Sequence, residues 1–159
     1  QKPVSQTFTT RKDAQAWAKK IESEIERGLF LDISEAQETT VLKVVERYET
    51  EILPSKRSYP VYRFHLKPLK VNLGHLVLST LKPSHVSQYR DQRLKEVSPA
   101  TVIKELGLLQ RVLTACVKDW GINLPHGNVV SQISSPLKVL VQATDFTNNN
   151  FAVLHKFAL

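Results

Sequence analysis

Apolar positions recur with a helical period through most of the chain. Ala14, Trp17, Ala18, Ile21 and Ile25 form one stripe, which predicts a helix near 11–27. Thr10 stands where a cap belongs, Asp13 follows three residues later, and Gly28 is a natural stop. Lys12, Lys19, Glu22, Glu24 and Glu26 lie off the stripe, and the carboxylates read as a solvated face. Leu29–Gln37 reads as a connector. A second helix, near 41–52, starts at Thr39 or Thr40. It buries Val41, Val44, Val45, Tyr48 and Ile52, and Pro54 ends it.

A third helical segment follows Ser58, with Phe64 and Leu69 on its core side. Pro68 predicts a kink or an early end there, and Asn72 and Gly74 mark a turn. A fourth helix, near 83–95, begins at Pro83. Val86, Tyr89 and Leu94 face inward, and Arg90 and Arg93 share an outer face with Ser87. The fifth helix, near 99–120, has the clearest pattern. Ser98 caps it, Pro99 takes its first position and Gly121 stops it. Val102, Leu106, Leu109, Leu113, Cys116 and Trp120 line one side. From Asn123 the period is lost, and Pro125, Gly127, Asn128 and Ser131 to Pro136 read as a linker. Leu137–Leu159 reads as a short strand pair or a poorly ordered tail, and no internal repeat is visible. The pattern therefore predicts an all-α fold, a small helix bundle. Its parts are an N-terminal linking helix and connector over 1–38, a bundle over 39–128, and a linker and atypical tail over 129–159.

Charge sharpens this picture. The 159 residues carry a formal net charge of +7. Residues 1–50 hold 8 Lys/Arg against 9 Asp/Glu, residues 51–120 hold 12 against 5, and residues 121–159 hold 2 against 1. The middle segment thus carries the whole excess, and a localised basic surface attracts polyanions. Lys56 and Arg57 open it. Arg63, Lys67 and Lys70 follow at i, i+4, i+7 and share a helical face. Arg90 and Arg93 come next, and Lys104, Arg111 and Lys118 recur every seven residues along the fifth helix. Like charges with nothing beside them to neutralise them suit an external anion, and nucleic acid is the first partner to consider.

Composition excludes other classes. Hydrophobic residues at 42% and charged residues at 23% suit a folded globular chain. The lone Cys116 rules out an intramolecular disulfide and a Cys-rich zinc site, and its place in the apolar stripe makes it a small core residue. No apolar run approaches the roughly 20 residues of a membrane helix. The opening QKPVSQTFTT lacks both Met and a signal-peptide core, as a cut intracellular chain would. A cytoplasmic, nucleoid-associated protein is expected. There is no Gly-rich phosphate loop, no metal-ligand cluster and no nucleophile beside a base. His65, His75, His85, His126 and His155 are scattered and read as structural or solvated. No cofactor, metal or small-molecule substrate is expected.

Two long segments resemble a known family. TFTTRKDAQAWAKKIESEIERGLFLD, followed by SEAQETTVLKVVERYETEILPSKRS, resembles the N-terminal region of phage-type integrases, the tyrosine site-specific recombinases. LGHLVLSTLKPSHVSQYRDQRLKEVSPATVIKELGLLQRVLTACVKDWGINLP resembles their SAM-like core-binding domain. The carrying features are Leu81-Lys82-Pro83, Arg90 and Arg93, Ser98 with Thr101, and Ala115 with Trp120. The resemblance covers Thr7 to Pro136 and is nearest to shufflon-type invertases and prophage integrases. It implies a half-clamp on duplex DNA, with the third to fifth helices turning basic faces to phosphates. Arg90, Arg93 and Lys104 are the candidate base readers, since such side chains donate to guanine edges. The family's Asn-Pro after the long helix is Asn128-Val129 here.

The resemblance also implies a catalytic domain after Pro136, bearing an Arg, a Lys, a His-x-x-Arg, a further His or Trp, and the Tyr nucleophile. The 23 residues that remain hold no Arg and no Tyr. The expectation is therefore a non-enzymatic, DNA-binding piece of a recombinase. Tyr48, Tyr59, Tyr62 and Tyr89 are expected to be helix or cap residues. The rival reading is an interaction module that pairs with recombinase protomers through exposed apolar surface. Salt discriminates the two, because phosphate contacts weaken steeply with salt and apolar pairing does not.

Overall fold

The longest helix organises the molecule, and the rest of the core is laid against it. The structure is a computed structural model and describes residues 6–26, 32–56 and 59–137. Six α-helices follow in order: α1 (Arg11–Glu26), α2 (Ser34–Glu38), α3 (Val41–Glu51), α4 (Tyr59–Leu73), α5 (Pro83–Arg93) and α6 (Pro99–Lys118). Short 3-10 turns stand at Leu53–Ser55, Leu78–Thr80 and Val129–Gln132. No strand occurs among the described residues, only an isolated bridge between Thr40 and Val77. The all-α expectation holds.

α6 is helical because its start is capped and one broad side is apolar. The Ser98 hydroxyl accepts from the Thr101 N–H, and Pro99 occupies the first turn. Gly121, at φ 69°, supplies the left-handed residue that ends it. Val102, Leu109, Val112, Leu113 and Cys116 are fully buried, and α3 and α4 pack on this helix. Val41, Val44, Val45, Leu66 and Leu69 are the fully buried residues they contribute. Each such side chain contributes about 1.5–3 kcal/mol by leaving water. α5 adds Val86 and Tyr89. Thr40 caps α3 and Thr10 caps the first turn of α1, as the pattern predicts. None of the described α1 side chains is fully buried; the Phe8 ring lies 5.4 Å from Trp17.

The structure corrects several expectations. α2 forms inside the segment read as a connector. It is a single polar turn hiding one small residue, Ala36, so it has almost no periodic signal. Pro68 neither ends nor shortens its helix: α4 runs on to Leu73. The backbone bond that Pro68 forfeits would reach the carbonyl of Phe64, whose side chain is 72% exposed, so the loss falls on the solvent side. Leu66, Leu69 and Leu73 hold the helix from the other side, and Asn72 Nδ2 donates to the Pro68 carbonyl. Phe64 itself is therefore not a core residue. Arg90 is buried rather than outward, and Arg93 is half-buried.

Packing reaches past residues 39–128 at both ends. Ala36 and Val129 are buried, and Asn123 Nδ2 donates to the Asp32 carbonyl. Gly28, Arg57, Ser58, the side chains of Glu24 and Glu26, and residues 138–159 lie outside the described residues.

Candidate nucleic-acid interface

The ten basic candidates separate into distinct groups. Lys104, Arg111 and Lys118 are all exposed. Seven-residue spacing is nearly two full turns, so they fall in a line along α6. Among the described residues, Lys104 and Lys118 take no ion-pair or hydrogen-bond partner. Arg111 takes an aromatic partner instead of a carboxylate. Its Nη1 donates to the Tyr62 hydroxyl at 3.4 Å, and its guanidinium carbon lies 5.7 Å from the Tyr62 ring centroid. That contact steadies the guanidinium and leaves its charge uncancelled.

α4 behaves differently. Glu49 on α3 takes both Arg63, at 2.9 Å, and Lys70, at 2.5 Å. Two of the three residues expected to face DNA from α4 are thus held by one internal carboxylate. Lys67 is exposed, and so is Lys56, just before α4. Arg57 lies outside the described residues.

The two arginines of α5 are internal ties. Arg90 Nη1 donates to the Ser134 carbonyl at 2.9 Å and its Nε to Asp91 at 2.8 Å, which fastens the segment after α6 to α5. Arg93 meets Glu105 with two bonds, Nε to Oε2 at 3.0 Å and Nη2 to Oε1 at 2.7 Å, and also pairs with Glu96. Glu105 is 1% exposed and additionally accepts the Tyr89 hydroxyl at 2.6 Å. Burial first, then this bond to Glu105, raises the Tyr89 pKa well above its ordinary value. Neither arginine fork is open to a base edge in this arrangement.

Sequence reasoning gave Glu105 no role beyond lying off the basic stripe of its helix. Yet it stands three residues after Val102 and four before Leu109, both fully buried, so the wheel carried the signal. Tyr62 and Tyr48 were read only as helix or cap residues, and Gly107 was not singled out. With Lys56, Gln110 and Arg111 they line a groove of about 690 Å³ between α3, α4 and α6. Burial raises the pKa of Tyr48, and raises that of Cys116 to about 12, so neither offers a ready nucleophile. Among the described residues no cluster of His, Cys, Asp and Glu could hold a metal, and no helix is long and apolar enough to cross a membrane.

Comparison with known proteins finds a likeness. The chain is 31% identical over 117 residues to a Haemophilus influenzae protein named "Putative integrase/recombinase". The match takes in 73% of this chain, which spans 31% of that relative's length. No family model matches the chain, and no solved structure matches it. The similarity supports a place among the integrase/recombinase proteins.

Proposed function

We propose that this chain is a DNA-binding, core-binding region of an integrase/recombinase, of the SAM-like type and phage-type family that its sequence resembles. The observation that carries the reading is the line of Lys104, Arg111 and Lys118, exposed along α6 and uncancelled by any described carboxylate. Three such cations meet phosphates along a duplex, fixing register without reading sequence. Lys56 and Lys67 add charge from neighbouring elements. Base reading, if it draws on the named candidates, falls to Lys104, because Arg90 and Arg93 serve the fold.

Strand cleavage is assigned to parts of the recombinase other than these helices. Tyr48 and Tyr89 are buried, and Tyr62 is engaged by Arg111. The test combines two assays. In fluorescence anisotropy with a short duplex, Lys104→Gln with Lys118→Gln should weaken binding, while Lys19→Gln on α1 should not. In a covalent-trapping assay with nicked DNA, the chain should form no protein–DNA adduct. A tyrosine-linked adduct would overturn the non-enzymatic assignment, and unchanged affinity of the double variant would overturn the α6 interface.

A second reading has its own support. Val61, Phe64 and Val71 lie on the solvent side of α4 and are 54%, 72% and 72% exposed. Such a stripe suits contact with another protein, including recombinase protomers. Sedimentation of Phe64→Asp against the parent chain tests it: a fall in self-association or in recombinase pairing supports it, and identical behaviour removes it.

A further inference from the structure

The groove beside Arg111 has a feature that the fold does not require. Gly107 sits in the middle of a 20-residue helix, where glycine is costly relative to alanine. A Cβ at Gly107 would meet no atom within 4 Å, so no neighbour in the chain demands its absence. Its φ is not left-handed either, so the backbone does not demand glycine. What the missing side chain does leave is open space on the wall of the groove.

The groove's other walls are chemically uneven. Arg111, held by the Tyr62 hydroxyl and ring, stands in α6 at Gly107 plus one helical turn. Lys56 enters from the segment before α4, and the Tyr48 and Tyr62 side chains bring aromatic surface and hydroxyls. Among the described lining residues only Asp119 is acidic, and it lies at the C-terminal end of α6. Cations, hydroxyl donors and a bare stretch of helix backbone together suit a polyanionic strand better than an apolar peptide.

We propose that this groove seats one sugar–phosphate strand of the bound DNA, with Arg111 and Lys56 on its phosphates and Gly107 letting the strand approach the α6 backbone. The inference rests on the DNA-binding reading and deepens it. The interface then spans three elements, with Lys104 and Lys118 lying on either side of Arg111 along the helix.

The prediction has an unusual signature, because one substitution should move stability and binding in opposite directions. Gly107→Ala should raise Tm, since alanine is the better helix former and nothing obstructs its methyl group. The same change should weaken binding of a short duplex, and Gly107→Leu should weaken it further, by about tenfold, the scale of one lost charge-assisted hydrogen bond. Lys56→Gln should make the slope of log affinity against log salt shallower by about 0.9. Tyr62→Phe should cost affinity by releasing Arg111 while leaving Tm near the parent value.

The experiment is anisotropy over a salt series and thermal melting, on the full chain and these four variants. Gly107→Ala that melts higher and binds more weakly supports the inference. If all four variants bind as the parent does, while Lys104→Gln with Lys118→Gln weakens binding, the groove is not the strand's seat and the DNA reading survives. If the parent chain itself shows no salt-dependent binding, both fall.

Discussion

Glu105 shows what a single residue can decide. It is a fully buried carboxylate, and its two oxygens are satisfied by Arg93 and by the Tyr89 hydroxyl. Removing one partner of a buried pair strands the other charge, at a cost of about 3–5 kcal/mol. Arg93→Gln is therefore expected to lower stability strongly, by a measurable drop in denaturant midpoint, with no selective loss of DNA-site discrimination. The opposite pattern, with stability retained and discrimination lost, would return Arg93 to base reading. Alkali should act on the same triad. Tyr89 resists ionisation in the fold, so its contribution is complete below pH 10 and is lost as pH rises beyond the ordinary tyrosine value. The sequence showed Arg90 and Arg93 as charges in a basic segment. Whether a charge faces solvent or a buried carboxylate depends on what the next helix carries, and charge counting does not register that.

Among the longer helices, α6 was the most legible and α4 the most misleading. α6 advertises itself through cap, proline, apolar stripe and terminal glycine, all of which the structure uses. α4 carries contradictory signs. Its proline falls on the solvent side and is tolerated, and its exposed stripe is apolar, which sequence reasoning takes for a buried face. Phe64 and Leu69 were placed together on the core side, yet only Leu69 is buried. The distinction is testable. Leu69→Ala should destabilise the fold by about 2–5 kcal/mol, as core truncations do. Phe64→Ser should leave the unfolding midpoint within experimental error. Equal losses at the two positions would put Phe64 back in the core. The α2 turn was illegible for a plainer reason: five residues with one buried alanine have no period to detect.

For the whole molecule, the uneven charge was the most useful reading, and structure redistributed it. The middle segment carries the excess, but Glu49, Asp91, Glu96 and Glu105 take up four of its arginines and lysines internally. Among the described residues, what remains uncancelled is the α6 line together with the exposed Lys56, Lys67, Lys82 and Lys95. The proposed interface is therefore a small set of cations, led by the α6 line, acting on phosphates. Its most direct test is the salt dependence of duplex binding by the parent chain and by the triple variant Lys104→Gln, Arg111→Gln and Lys118→Gln. Each phosphate neutralised contributes about −0.9 to the slope of log affinity against log salt. The parent slope should exceed that of the triple variant by about 2.7 in magnitude. Equal slopes for the two proteins, or a parent affinity indifferent to salt, would contradict the assignment of α6 as the DNA-facing helix.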